Sequence, residues 1–475
     1  MLGLFGTLNL GTRSLQTQQA GVEVTGQNLA NVNNPAYSRQ RLQIQTTDAL
    51  PSAIGPVGTG AQAVAIEQLR NALLDTQIRN EQSVGGYWTA QQSGLQNAQI
   101  SLGEFLDRSA KNVDGTSATG SDGAMGLSDT LNSFFNDFQD VATSPTSITE
   151  RQALVSQAQT LASRLHEISQ RLNDVQTTIQ GSIKDDVNSA NTLLGDIAKL
   201  NDLIATTESA TTGKANDLRD LREQKLESLA QLTNIETETA EDGSVNISIN
   251  GTPLVVGNKQ VDSLETYAGS RGQLYVRTAT SQTNLALSGG SLGGSINLQD
   301  NEIYTLQSSL DTLAGSIISQ VNAIHSTGYD LAGNTGNDFF TGTNASDISV
   351  NAAFLTDASL IQASGDPAGP GDNSVALALS KLKDQPITAL GNQTFSAYYG
   401  SIVGTFGQSI SGANTQVANH KAVSTALVNQ RDSISGVSID EEMTNLLSYQ
   451  KAYQASAKIV TTIDEMLDTV LNLKR

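Results

Sequence analysis

The last stretch of the chain, from Ser438 to about Leu473, limits the possible folds more than any other. Met443, Leu446, Tyr453, Ala457, Val460, Leu467 and Leu471 follow steps of three and four residues, with Gln450 and Asp464 interrupting. Neither Gly nor Pro breaks the run. That spacing predicts one amphipathic helix, roughly 54 Å long at 1.5 Å per residue. Ser438 with Glu441 is a capping-box signature. Asp440, Glu441 and Glu442 set negative charge at the positive end of the helix dipole, and such acid pairs read as solvated helix faces and dipole partners. A helix of this length needs cover for its apolar seam, either as an ordinary terminal core helix or as half of an interface.

The other end of the chain has a thinner seam. Leu8, Leu15, Val22 and Leu29 fall seven residues apart, and the flanking line of Gly11, Gln18, Thr25 and Val32 is mostly polar. This predicts a helix from about Asn9 to Ala30 that cannot stand alone in water. The two ends are therefore natural partners. Asn31 to Tyr37 stops the first helix, because Pro35 drives Asn34 out of the helical region and Asn suits turn geometry.

Residues 42–70 alternate around a Pro/Gly-rich turn at Pro51 to Gly60 and predict an extended hairpin-like arm. Helical periodicity resumes with Trp88, Gln91, Leu95, Ala98, Leu102 and Phe105, and again with Leu127, Leu131, Phe134, Phe138 and Val141. A Gly/Ser/Asp loop from Asn112 to Gly126 lies between them. Ser147 with Glu150 is a second capping box and opens the most regular run, Leu154, Ala158, Leu161, Leu165, Ile168, Leu172, Val175 and Ile179, which is read as internal core. The pattern can be continued through Val187, Leu194 and Ile197. Another helix spans about Ala215 to Leu232. Alternation at Val245, Ile247 and Ile249 and at Leu274, Val276 and Thr278 marks strands, with short ones at Leu254-Val255-Val256 and at Leu285 and Leu287. Helix returns from Ile303 to Ile324, and a long helix is expected from Gln393 to Arg431. The fold class expected is mainly α with a β-rich insertion, in nested discontinuous domains. Residues 1–45 and 433–475 form a terminal helical layer, paired as a coiled coil. Residues 46–180 and 300–432 form a helical bundle. Residues 181–299 form a middle domain with its β-rich segment at 234–288. Nesting places both chain ends on one side of the molecule.

Composition narrows the functions. The chain has 27 Lys+Arg against 47 Asp+Glu, a net charge of −20, which argues against nucleic-acid binding and against anionic membrane surfaces. It has no cysteine, so disulfides, thiolate metal sites and cysteine nucleophiles are excluded. No apolar run approaches the ~18 residues of a membrane span, so no membrane insertion is expected. Met1 to Leu8 lacks the basic start and cleavage site of a secretory signal. His166, His325 and His420 lie on separate elements without metal-ligand spacing, so structural or solvated roles are expected. Asp330 to Asp338 is acidic and Gly-rich but fails the EF-hand pattern, so a polar turn is preferred to a calcium site. There is no phosphate-binding Gly-rich motif and no nucleophile elbow. No catalytic site, cofactor or metal is expected, and the chain does not read as an enzyme.

Asn28-Leu29-Ala30-Asn31-Val32-Asn33-Asn34-Pro35-Ala36-Tyr37-Ser38-Arg39-Gln40 resembles the N-terminal motif of bacterial flagellar rod, hook and hook-associated proteins. Ala36 stands where that pattern has glycine. Ser435 to Glu442, followed by Leu447-Ser448-Tyr449-Gln450-Lys451-Ala452-Tyr453, is similar to the closing helix of the same family. The Tyr37-Ser38-Arg39-Gln40 continuation and the stretch around Ala397-Tyr398-Tyr399 lie nearest the hook-associated members. The resemblance implies a structural, extracellular component of the flagellum at the junction of hook and filament. It implies self-assembly into a ring through the terminal helices, with hook protein and a second hook–filament junction protein as neighbours. It also implies type III export without a cleavable signal peptide, and an export chaperone on the C-terminal helix. Subunit contacts are expected at Leu8, Leu15, Val22, Leu29, Asn31, Asn34, Pro35, Tyr37 and Arg39. At the other end they are expected at Met443, Leu446, Tyr453, Val460, Leu467 and Leu471. A hook or distal-rod protein and a secreted enzyme riding on a flagellar scaffold are the alternatives.

Overall fold

The computed structural model describes residues 3–51, 55–102, 126–210 and 213–472. Helix α1 (Leu4–Ala30) starts earlier than the Leu/Val spacing implies and ends where Asn31 and Asn34 close the last turn. Strands β1 (Gln40–Thr46) and β2 (Ala61–Gln68) then pair antiparallel, with a bulge at Gln43/Ile44, and form the expected arm. Leu69 N–H donates to the Arg39 carbonyl at 2.8 Å and closes the base of this arm.

Four helices follow: α2 (Ala72–Leu102), α3 (Leu127–Thr143), α4 (Ile148–Ala210) and α5 (Asn216–Leu232). Phe105 and all but the last residue of the loop expected from 112 to 126 lie outside the described residues. Helix α4 is 63 residues long and buries every member of its predicted stripe, Leu154 through Ile179, then Ile183, Val187, Leu194 and Ile197. Its start is capped as expected, with Ser147 Oγ accepting from Glu150 N–H at 3.4 Å. The helix runs unbroken past Gly181, so the division drawn at 180/181 falls inside one element.

Strands β3 (Glu236–Thr239), β4 (Val245–Ile249), β5 (Thr252–Val256) and β6 (Lys259–Gln260) form one sheet in that order. Asn250 and Gly251, both at positive φ, make the β4–β5 turn, the backbone shape that suits a two-residue hairpin. Strands β7 (Leu264–Ala268) and β8 (Leu274–Thr278) pair separately. The strand expected at Leu285 and Leu287 does not form. That segment makes one bridge, Asn284 to Arg277, with Leu285 N–H donating to the Val276 carbonyl and the Ala286 carbonyl accepting from Asn250 Nδ2, before the next helix begins. Helix α6 (Gly290–Asn297) continues through a π-helical turn, Leu298–Ile303, into α7 (Tyr304–His325). After β9 (Phe340–Thr341), β10 (Ser349–Val350), α8 (Ala352–Thr356) and α9 (Ser374–Ser380) come two long helices. These are α10 (Phe395–Ser435) and α11 (Ile439–Asn472).

The fold is mainly α with a β-containing insertion. One continuous core runs along α4 into the β strands and along α7 to α9. Phe134, Phe135 and Phe138 of α3 meet Phe339, Phe340 and Phe395 there, with ring centroids 5.0–5.9 Å apart. Helix α10 lies along α2, and α1 packs against α11. Among the described residues, no helix is long and apolar enough to cross a membrane.

Candidate functional site

The two terminal helices meet antiparallel. Gly11 faces Val460, Ser14 and Ser456 share a 2.7 Å hydrogen bond, Gly21 faces the Tyr449 ring, and Asn28 reaches Glu442. A Cβ on Gly11 would sit 2.7 Å from Val460, and one on Gly21 would sit 2.6 Å from the Tyr449 ring. These distances are too short for any side chain, so the close approach depends on glycine. Helix α1 therefore turns Gly11, Thr17, Gly21, Val24, Thr25 and Asn28 inward and leaves the Leu8, Leu15, Val22, Leu29 line half-buried. Periodicity singled out the larger side chains. Backbone proximity selected the smaller ones.

At the base of this pair the turn after α1 is clasped by polar groups. Tyr37 Oη donates to Asn28 Oδ1 at 2.8 Å, and Gln40 N–H donates to the same oxygen at 2.9 Å. Asn28 Nδ2 donates to the Gln40 carbonyl at 2.8 Å and to Glu442 Oε2 at 3.0 Å. Arg39 donates to Glu442 Oε1 at 2.8 Å and to Glu441 Oε2 at 2.6 Å. Glu441 is thus drawn away from the capping box that its spacing suggests. Glu442 is not a solvated dipole partner but a buried one, 2% exposed, because Arg39 and Asn28 replace its water. The adjacent acids Asp185 and Asp186 of α4 also suit a solvated helix face by sequence, yet Asp186 accepts from Ser291 Oγ at 2.5 Å. Ala36, where glycine would be expected, is not among the positive-φ residues, so its Cβ costs nothing.

The clasp is tied to the body through α5. Ser38 N–H donates to Asp220 Oδ2 at 3.0 Å and Gln40 Nε2 to Asp217 Oδ1 at 2.9 Å. Arg70 bridges Asp75 and Asp220, each at 3.1 Å, while Arg79 pairs with Glu223 and Arg431 with Glu227. Arg39 N–H donates to the Ser435 carbonyl at 2.8 Å, so the end of α10 joins the same knot. Burial raises Asp220 and Glu227 above the usual carboxylate range, against the pull of Arg70 and Arg431. Tyr37 is raised by burial and by Asp217, Asp220 and Glu442, which keeps its hydroxyl protonated as the donor that the clasp needs.

Of the residues expected at subunit contacts, the structure brings Tyr37 and Arg39 into the clasp, and Leu446, Val460 and Leu467 lie half-buried along α11. Asn31 and Asn34 form the turn itself, and Pro35 is exposed beside them. Met443, Tyr453 and Leu471 are 43%, 41% and 69% exposed. Asn28, Gln40, Asp217, Asp220 and Glu442 escaped sequence reasoning as site residues. Asn28 and Gln40 bound the quoted motif, but nothing in a periodicity says that a polar residue is buried.

The histidines have no common site. His166 Nδ1 lies 2.7 Å from the Ser346 carbonyl, and His420 Nδ1 lies 2.7 Å from Glu81. His325 is fully buried, donating from Nδ1 to the Asn337 carbonyl and accepting at Nε2 from Gln362 N–H; burial pushes it down to about 4. Asp330 accepts from Ala332 N–H, Asn334 N–H and Asn334 Nδ2, so its carboxylate organises its own loop. Among the described residues, no group of three or more metal-ligating side chains converges.

Residues 117–340 match the family described as flagellar hook-associated protein FlgK helical domain. Residues 428–473 match that described as flagellar basal body rod FlgEFG protein C-terminal. The chain is 28% identical to flagellar hook-associated protein 1 of Bacillus subtilis, over 99% of each chain. It is 24% identical to the protein of that name from Salmonella typhimurium, over 98% of this chain and 99% of the relative. Its fold is similar to that of the flagellar hook junction protein FlgK from Burkholderia pseudomallei, with a TM-score of 0.65 and 18% identity. That likeness covers 76% of this chain and 100% of the other.

Proposed function

Because this chain belongs to the flagellar hook-associated protein 1 family, a structural component of the flagellum at the junction of hook and filament, we propose that it works there as a ring-forming adaptor built on the α1/α11 pair. The observation that carries this reading is the state of that pair. The Asn28–Arg39–Glu442 clasp joins its helices and Asp217 and Asp220 tie it to the body, yet along α11 only Glu442, Ser456 and Ile463 are buried. Met443, Leu447, Ile459, Met466 and Val470 stay exposed, which suits a helix whose cover comes from other copies. The chain is part of the extracellular flagellum, and its neighbours include hook components. In the finer reading, hook protein lies on one side of the ring and the second junction protein on the other. Export runs through the flagellar type III route without a cleavable signal, with a chaperone on α11 beforehand. We read the chain as non-enzymatic, since its buried carboxylates and histidines are committed to bonds that hold the fold.

Electron microscopy of cells lacking the gene tests the adaptor. Hooks without filaments, with flagellin shed into the medium, are expected. The full chain should restore filaments, and a chain ending at residue 437 should not. Filaments growing on hooks in the deletion strain would overturn the proposal.

A further inference from the structure

The exposed side of α11 carries charge in two bands that no other described residue of the chain answers. Lys451 and Lys458 make a positive band in mid-helix, and Asp464, Glu465 and Asp468 make a negative one further along, all exposed. The residues three and four positions from either lysine are Leu447, Ser448, Gln454, Ala455, Thr461 and Thr462, none of them acidic. Among the described residues, neither lysine and none of the three acids has an ion-pair partner. The acids are also placed against helix stability. Asp464 and Asp468 are like charges at i, i+4, and the negative band lies toward the negative end of the helix dipole. Helix α1 supplies no lysine or arginine at that level, because its only basic residue, Arg13, neighbours the Ser14–Ser456 contact.

We propose that each band is answered by the other band of a second copy of this chain, parallel to the first and displaced along the helix by roughly 15–21 Å at 1.5 Å per residue. Lys451 and Lys458 of one copy then face Glu465 and Asp468 of its neighbour. This rests on the adaptor reading for the parallel arrangement and adds the register. The chain's net charge of −20 opposes self-association, so a contact between copies needs such local pairing of opposite sign. Leu447, Ile459, Met466 and Val470, exposed around the bands, supply apolar area to the same contact.

The test uses the full chain as the sole copy in flagellated cells, reading the amount retained in purified flagella. K451E/K458E should lower retention about tenfold or more, the scale of a few like-charge contacts. E465K/D468K should do the same, although it relieves like-charge repulsion within the helix and so favours the helix itself. The fourfold variant inverts both bands and should restore retention. The chain has no cysteine, so K458C/D468C gives an independent readout. Those positions are roughly 15 Å apart on one helix, too far for a disulfide within a copy, and oxidation should link copies in flagella but not in dilute monomer. Unchanged retention of both double variants with no cross-link would overturn the register while leaving the adaptor reading intact. Absence of the unmodified chain from flagella would overturn both.

Discussion

The Glu442 carboxylate is 2% exposed, with one oxygen held by Arg39 and the other by Asn28, whereas Glu441 beside it is 62% exposed and holds Arg39 alone. Removing one member of a buried, hydrogen-bonded pair costs ~3–5 kcal/mol, and removing an exposed one ~0–1 kcal/mol. Glu442→Ala should therefore loosen the clasp, near the lower figure, because Arg39 keeps Glu441. Amide exchange in α11 should quicken strongly in Glu442→Ala and little in Glu441→Ala, with α4 unaffected in both. Equal effects of the two substitutions would show that burial at Glu442 contributes nothing.

At the scale of elements, α1 offers a controlled comparison between its own glycines. Gly21 sits against the Tyr449 ring, while Gly26 has no atom within 4 Å of an added Cβ. Alanine in a helix interior is favoured over glycine by ~1 kcal/mol. Gly26→Ala should thus slow exchange in α1, and Gly21→Ala should quicken it in both terminal helices despite the same propensity gain. Tyr449→Ala added to Gly21→Ala should recover part of the loss by opening room for the new methyl group. A stabilising Gly21→Ala would mean that α1 and α11 do not approach as closely as the structure shows.

The whole molecule divides by what it buries. Helix α4 sets an unbroken aliphatic stripe into the common core, whereas the only aliphatic side chains larger than alanine that are fully buried in the terminal pair are Val24 and Ile463. Ordering backbone costs ~1–2 kcal/mol per residue and burying such a side chain returns ~1.5–3 kcal/mol. The pair should therefore be the least protected part of the free monomer. Hydrogen exchange and limited proteolysis should find residues 4–30 and 439–472 open far more readily than Leu154 to Ile179. Deleting residues 438–475 should leave that central protection in place. Protection of both ends equal to that of α4 in a dilute monomer would show a finished core there, with no need of other copies.

The amino-acid sequence by itself determined the long helices, the central stripe of α4, the arm and most of the strands, because each follows from a repeat of three-four or two residues against a buried face. It also pointed to the family through the residues around Asn31 to Gln40 and Ser438 to Tyr453. Tertiary structure alone decided which face of α1 is covered, since two glycines admit a backbone approach that no hydrophobic pattern signals. It alone made Glu442 a buried anchor and drew Asp217 and Asp220 to the turn from far along the chain. Periodicity reports where apolar area must go. The pairing of polar groups depends on which distant backbones come within hydrogen-bond reach, and only the assembled fold specifies that.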